Sequence, residues 1–228
     1  MKIKEEFSKY ANEYIKNNLI QNKVVEHLLK KITKKPKNIL DLGCGSGAVY
    51  KKIDWNYDSL VGVDFAKGML SLHPKASNVE LLYADFNEKK LFDSLDRYHF
   101  DYIISASALQ WANDLEDIFK NIKSLNSFVS LAIFTSNTFK ILNDTASLQP
   151  LLKSASYIDT LQRKYFDAEI EVVTYKLEFE SVRDIFRYIK ESGVSGSRRV
   201  LNYKEMKQLM KKYPVNYLEF EVVFITSR

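Results

Sequence analysis

Apolar positions along the chain change period repeatedly, and the changes divide it into elements. From about Phe7 to Ile32, the residues Phe7, Tyr10, Ala11, Tyr14, Leu19, Val24, Val25, Leu28 and Leu29 fall near helical spacing, interrupted by Asn17-Asn18 and Asn22, which predicts two helices. Pro36 breaks that pattern. Strand-like runs and helical stretches then alternate. The strands end at Asp41, Asp64 and Tyr83, then span Phe100 to Ser105 and Phe128 to Phe134; helices start at Ser46 and about Ala66 and run from about Asp114 to Leu125. Such alternation predicts a parallel sheet with helices on both faces, whose ligands bind beyond the carboxyl ends of the strands.

The pattern loosens between Thr135 and Phe166, where Pro150 and a helical stretch from Leu148 to Leu161 suggest an insertion over the active site, residues 135–166. An alternating strand (Ile170 to Phe179), a helix (Val182 to Lys190), a turn (Ser192 to Ser197), a helix (Tyr203 to Lys212) and a last strand (Tyr217 to Thr226) follow. Leu218, Phe220, Val222 and Phe224 line one face of that last strand, as expected for an antiparallel strand closing the sheet beside its predecessor. The expected fold is α/β: a Rossmann-like, seven-stranded, mostly parallel sheet with an antiparallel last strand, in a single domain of residues 1–228.

With 228 residues, 46% of them apolar and 13% aromatic, the chain can bury a substantial core, which excludes a disordered protein. No apolar run reaches the ~18 residues of a membrane span, and Met1 to Glu6 lead into a helical pattern rather than a signal peptide, so a cytoplasmic protein without membrane contact is expected. Cys44 is the one cysteine, which rules out an intrachain disulfide or a thiolate zinc site; His27, His73 and His99 lack metal-ligand spacing, and no metal is expected. The net charge of +5 permits an acidic partner without choosing one. Basic pairs such as Lys34-Lys35 and Lys211-Lys212 are dispersed and read as solvated helix faces.

The candidate chemistry is concentrated in Asp41-Leu42-Gly43-Cys44-Gly45-Ser46-Gly47, an acidic strand end followed by three glycines before a helix. Gly43, Gly45 and Ala48 satisfy the spacing of a dinucleotide fingerprint. Asp41 argues against that ligand, because a carboxylate before the loop would lie close to a pyrophosphate, where like charges repel. A cation reverses the sign, and S-adenosylmethionine carries a sulfonium and an ammonium and no phosphate. Asp64 ends the next strand roughly 20 residues on, where a carboxylate reaches ribose hydroxyls. Asp85 follows the third strand. Cys44 reads as a small residue packed beside a cofactor.

Asp41 to Gly47 resembles the first motif of class I S-adenosylmethionine-dependent methyltransferases. That resemblance implies S-adenosylmethionine as cofactor, with Asp85 accepting from the adenine amino group, Phe65 and Phe86 beside the ring, and Met69, Ser105 and Ala106 completing the cofactor set. At the fourth strand end, Ser105 to Trp111 lacks the Asn/Asp-Pro-Pro-aromatic motif of base-directed amino methyltransferases, so no nucleic-acid partner is expected. Leu109-Gln110-Trp111-Ala112, with Phe7-Ser8-Lys9, Tyr14, Leu19-Ile20-Gln21, Phe134-Thr135-Ser136, Ile189 to Val194 and Tyr213-Pro214, is similar instead to the malonyl-acyl carrier protein O-methyltransferases of biotin synthesis. By that resemblance, residues 1–35 form a helical lid carrying a catalytic Tyr14, and Gln110 and Trp111 shape the acceptor pocket for a malonyl group on acyl carrier protein, for whose anionic end Arg198 is one candidate cation. Lys153, Arg163 and Arg199 are further candidates for meeting the anionic acceptor, and a monomer is expected. A free small acid, as in aconitate methyltransferases, and a non-catalytic cofactor-binding scaffold stand as alternatives.

Asp64→Ala is expected to weaken cofactor binding by ~1 to 3 kcal/mol through lost charge-assisted hydrogen bonds, measured by calorimetry. Tyr14→Phe is expected to lower turnover with little effect on that affinity.

Overall fold

Ile39, Leu40 and Leu42 are fully buried on both faces of strand β1 (Asn38–Leu42), as the middle of a parallel sheet requires. The computed structural model describes residues 18–191 and 203–228. Around β1 it assembles β2 (Ser59–Asp64), β3 (Val79–Tyr83), β4 (Tyr102–Ala106), β5 (Phe128–Phe134), β6 (Ala168–Glu178) and β7 (Tyr217–Ser227) in the order β3-β2-β1-β4-β5-β7-β6. Strands β1 to β5 run parallel, and β7 is antiparallel to both of its neighbours. The last strand thus lies beside its predecessor as expected, but inside the sheet, with β6 at the edge. Burial explains the exchange. Leu218, Phe220, Val222 and Phe224 on one face of β7 and Val223 and Ile225 on the other are all enclosed, whereas β6 exposes Glu169, Val172, Thr174, Lys176 and Glu178, a charged edge that discourages pairing with another chain.

Nine helices are described: α1 (Leu19–Lys30), α2 (Ala48–Lys52), α3 (Lys67–Ser71), α4 (Lys89–Leu95), α5 (Leu115–Ser124), α6 (Lys140–Ala146), α7 (Ala155–Tyr165), α8 (Val182–Glu191) and α9 (Tyr203–Lys212). They divide the core in two. Ile39, Leu60, Ile104, Phe220 and Phe224 meet α1, α6, α8 and α9 on one face; Leu40, Val61, Ile103, Leu131 and Val223 meet α4, α5 and α7 on the other. In α5, Leu115, Ile118, Phe119 and Ile122 recur at helical spacing and are buried, and Asp114 caps its start by accepting from the N–H groups of Glu116 (2.9 Å) and Asp117 (3.3 Å). Past the end of α5 Asn126 takes φ 50°, the left-handed conformation that glycine or asparagine supplies after a helix.

Several expectations are corrected. Helix α4 went unread, because its burial rests on only Leu91, Phe92 and Leu95 within seven residues, too short a stretch to show periodicity. The insertion holds two helices, α6 and α7, rather than one between Leu148 and Leu161; Ser147, in a left-handed conformation, stops the first and Ser154 caps the second. The helices expected from Ser46 and Ala66 start at Ala48 and Lys67, and the fourth strand starts at Tyr102 rather than Phe100. Of the two N-terminal helices only α1 falls within the described residues, and the turn Ser192 to Ser197 lies outside them.

Ile20, Val24 and Leu28 of α1 are completely buried, packed over β4 and β5. This half of the expected lid is therefore part of the core. Among the described residues no helix is long and apolar enough to cross a membrane. Leu28→Ala is expected to lower unfolding stability by about 2 to 5 kcal/mol in a denaturant titration; a loss below about 1 kcal/mol would show that α1 can leave the sheet without disturbing it.

Candidate functional site

The sheet reverses its winding between β1 and β4, and the crevice beyond their carboxyl ends is where an open α/β sheet binds ligands. The glycine loop after β1 floors that crevice. The N–H groups of Gly43 (2.8 Å) and Cys44 (3.0 Å) both donate to the Val63 carbonyl of β2, and Gly45 N–H donates to the Asp64 carboxylate at 2.9 Å. Gly43 has φ 77°, and a Cβ there would come within 2.2 Å of the Ala108 Cβ, so only glycine lets the loop approach the β4 turn. Gly45 has φ 54°, and a Cβ there would meet nothing within 4 Å. That open space belongs to the cleft.

The cleft is lined by Asp41, Gly43, Cys44, Gly45, Asp64, Phe65, Met69, Phe86, Ala106 and Trp111 from among the residues singled out in the sequence. It also takes in Asn18 before α1, Gln21 and Val25 of α1, Ser46, Ala48 and Val49 of the loop and α2, and Ser107 and Ala108 after β4. Four expected site residues do not line it. Gly47 caps α2 in a left-handed conformation, Ser105 is fully buried with its hydroxyl donating to the Leu42 carbonyl at 2.7 Å, and Gln110 Nε2 donates to the Ser107 carbonyl at 2.6 Å. Asp85 Oδ1 accepts from the backbone and side-chain nitrogens of Asn87, each at 2.9 Å, and so orders the turn after β3. Tyr14, Arg198 and Arg199 lie outside the described residues. Arg163 is paired with Asp159 at 3.0 Å and Lys153 lies over the Tyr157 ring, and neither lines the cleft.

Two lining residues missed in the sequence carry signals of unequal legibility. Gln21 is a polar residue one turn before Val25 on the apolar stripe of α1, a break in pattern open to view. Ser107 has φ 61° and a buried hydroxyl with no partner, a strained turn with nothing local to announce it.

Electrostatics mark the cleft most strongly at Asp41, which is completely buried and whose two carboxylate oxygens have no hydrogen-bond partner. Burial, reinforced by the nearby Asp64 charge, pushes its pKa up to about 8. Asp64 is also raised by burial, against the lowering pull of the N–H groups of Ala66, Gly45 and Phe65 that its carboxylate accepts. Burial drives the Cys44 thiol well above its usual range, so it is a packing group rather than a nucleophile. An S-adenosyl cofactor fits what is present. The orphaned Asp41 carboxylate is matched by a cation, the acidic end of β2 by ribose hydroxyls, the Phe65 and Phe86 rings by a base, and the space beside Gly45 by close approach of a ligand to backbone.

Residues 39–126, which contain the glycine loop with Asp41, Asp64 and Asp85, match the family model described as a methyltransferase domain. Fold, loop and family match together make the chain an S-adenosylmethionine-dependent methyltransferase of class I architecture. The chain is similar to the malonyl-[acyl-carrier protein] O-methyltransferase of Calditerrivibrio nitroreducens, 27% identical over 98% of this chain and 89% of that one. It is also similar to the protein of the same name from Bacillus cytotoxicus, 26% identical over 86% of this chain and 76% of that one. The plantazolicin methyltransferase solved with S-adenosylhomocysteine shares the fold, with a TM-score of 0.53 and 15% identity over 100% of this chain and 90% of that one.

A carboxyl whose folded pKa is near 8, far above the ordinary carboxylate value of 3.8, keeps its proton in the folded state where the unfolded chain has lost it. Its contribution is therefore complete below the unfolded value and is lost as pH rises through about 8. The ligand-free protein is expected to melt at a lower temperature at pH 9 than at pH 6, with the difference reduced in Asp41→Asn, in thermal scans across that range.

Proposed function

We propose that this methyltransferase moves the methyl group of S-adenosylmethionine to the free carboxylate of a malonyl group held on acyl carrier protein, the opening esterification of biotin synthesis, and that it does so as a cytoplasmic monomer. The observation that carries this reading is the similarity to proteins named for that substrate along 98% of the chain, well beyond the cofactor segment at 39–126. The departure from base-directed methyltransferases at Ser105 to Trp111 supports it. So does the net charge of +5, which suits docking of an acidic carrier.

When bound, S-adenosylmethionine supplies an electrophilic methyl on a sulfonium. The chain's own residues have modest work to do around it. A carboxylate with an ordinary pKa near 4 is already ionised at neutral pH, so no side chain has to remove a proton from the acceptor. What remains is to orient the cofactor and to strip water from the nucleophile. Asp41 and the loop from Gly43 to Gly45 orient the amino-acid end, Asp64 the ribose, and Phe65 and Phe86 the base. Val25, Ala106, Ala108 and Trp111 present a mostly apolar wall to the remaining side of the cleft, where a desolvated acceptor gains reactivity. Ser107, held by strain with an unpartnered hydroxyl, is a donor available to the acceptor's carbonyl or carboxylate oxygen. By resemblance Tyr14 is the residue assigned to the methyl-transfer step, and Arg198 is the candidate counter-charge to the malonyl carboxylate; both lie outside the described residues.

The test is methyl transfer from labelled cofactor to malonyl-acyl carrier protein, to the unacylated carrier and to free malonate and aconitate. The expected outcome is label on the malonylated carrier alone, released as methanol by mild base. Transfer to a free acid with no requirement for the carrier would replace the carrier substrate with a small-molecule one, and cofactor binding without turnover on any acceptor would favour a regulatory scaffold.

A further inference from the structure

Two polar side chains line the cleft from α1 and the residue before it, and only one of them has an acceptor with no partner. Asn18 Oδ1 already accepts from Asn22 Nδ2 at 2.8 Å. Gln21 Oε1 is buried and has no partner. It lines the same cleft as Asp41, a fully buried carboxylate whose two oxygens are equally unpartnered. Three buried acceptor oxygens without donors, contributed by a strand end and by a helix that precedes the whole sheet, share one cavity. Buried polar atoms are ordinarily satisfied, so their common deficit describes the missing group: a compact cation with several N–H donors. Asp64 does not share that deficit, since each of its oxygens already accepts one backbone N–H, from Gly45 and from Ala66.

Resting on the methyltransferase reading above, we infer that Gln21 is a cofactor-binding residue, whose side-chain oxygen accepts a hydrogen bond from the ammonium of the cofactor's amino-acid end opposite the Asp41 carboxylate. The consequence is a selectivity device. Gln21 belongs to the first described helix, whose Ile20, Val24 and Leu28 are locked into the core, so the amide is presented from a rigid element. The helix then reads whether the ligand carries its amine. An adenosine thioether lacking the amino-acid end leaves Gln21 Oε1 and Asp41 unsatisfied, whereas a ligand with the amine satisfies both.

Calorimetric titration of the full chain tests this with three ligands: S-adenosylhomocysteine, its decarboxylated analogue, which keeps the amine, and 5′-methylthioadenosine, which lacks both amine and carboxylate. The variant Gln21→Met keeps the side-chain length and deletes the acceptor oxygen. Loss of one charge-assisted hydrogen bond is expected to weaken the two amine-bearing ligands by about ten- to a hundredfold and to leave 5′-methylthioadenosine within about twofold of wild type. The last titration also reports that the variant is folded and its adenosine subsite intact. Unchanged affinity for S-adenosylhomocysteine, an equal loss for all three ligands, or a loss that disappears with the decarboxylated analogue would each overturn the assignment. Failure of the wild-type chain to bind any of the three would overturn the cofactor reading as well, whereas wild-type binding with an unaffected Gln21→Met removes Gln21 alone.

Discussion

Two neighbouring parallel strands are joined at their carboxyl ends by three hydrogen bonds of 2.8 to 3.0 Å, and the site follows from that junction. Val63 C=O receives the N–H groups of Gly43 and Cys44, and the carboxylate of Asp64 receives the N–H of Gly45. The loop is thereby folded flat against β2 instead of rising into the cleft. Its backbone lines the floor, and the Asp41 carboxylate is enclosed beneath it. Gly43 permits the arrangement because the turn after β4 comes so near that a single methyl group would collide with Ala108. Loop, strand end and β4 turn are thus one packed unit.

That unit holds an electrostatic imbalance. A carboxylate without donors in an apolar interior is costly, and the chain meets the cost by keeping Asp41 protonated, with its pKa raised to about 8. Such a group is not explained by stability, since an apolar residue would pack there more favourably. It is explained by a ligand that brings a positive charge and hydrogen-bond donors of its own. Asp64 illustrates the contrast at the next strand, because its oxygens are occupied by N–H groups that hold the loop in shape before any ligand arrives.

The cleft is drawn from several parts of the fold. The ends of β1 and β2 and the turn after β3 line it together with α1 and the stretch after β4, the last two through Val25, Ser107, Ala108 and Trp111. The insertion contributes no residue to the described cleft; its helix α6 leans on β7 and α9, and α7 on α5 and the two antiparallel strands.

How much could be read before folding differs from one residue to the next. Asp41, Gly43, Gly45 and Asp64 were legible because each reports a local constraint: a strand end, a positive φ, a carboxylate at a fixed distance along a repeating unit. The alternation of strand and helix was legible for the same reason, since period follows from backbone geometry. Asp85 and Gln110 were placed in the site by resemblance, and the fold gives their described bonds to the chain's own turns. Gln21 breaks a visible apolar stripe, but its place in the cleft, like that of Ser107, comes from packing, because a helix laid across β4 and β5 and a left-handed turn beyond β4 bring together residues far apart along the chain. The placement of β7 inside the sheet is of the same kind. Local pattern declared a strand with one apolar face, but which neighbours would cover both faces was an energy shared among β5, β6 and the helices, and burial settled it.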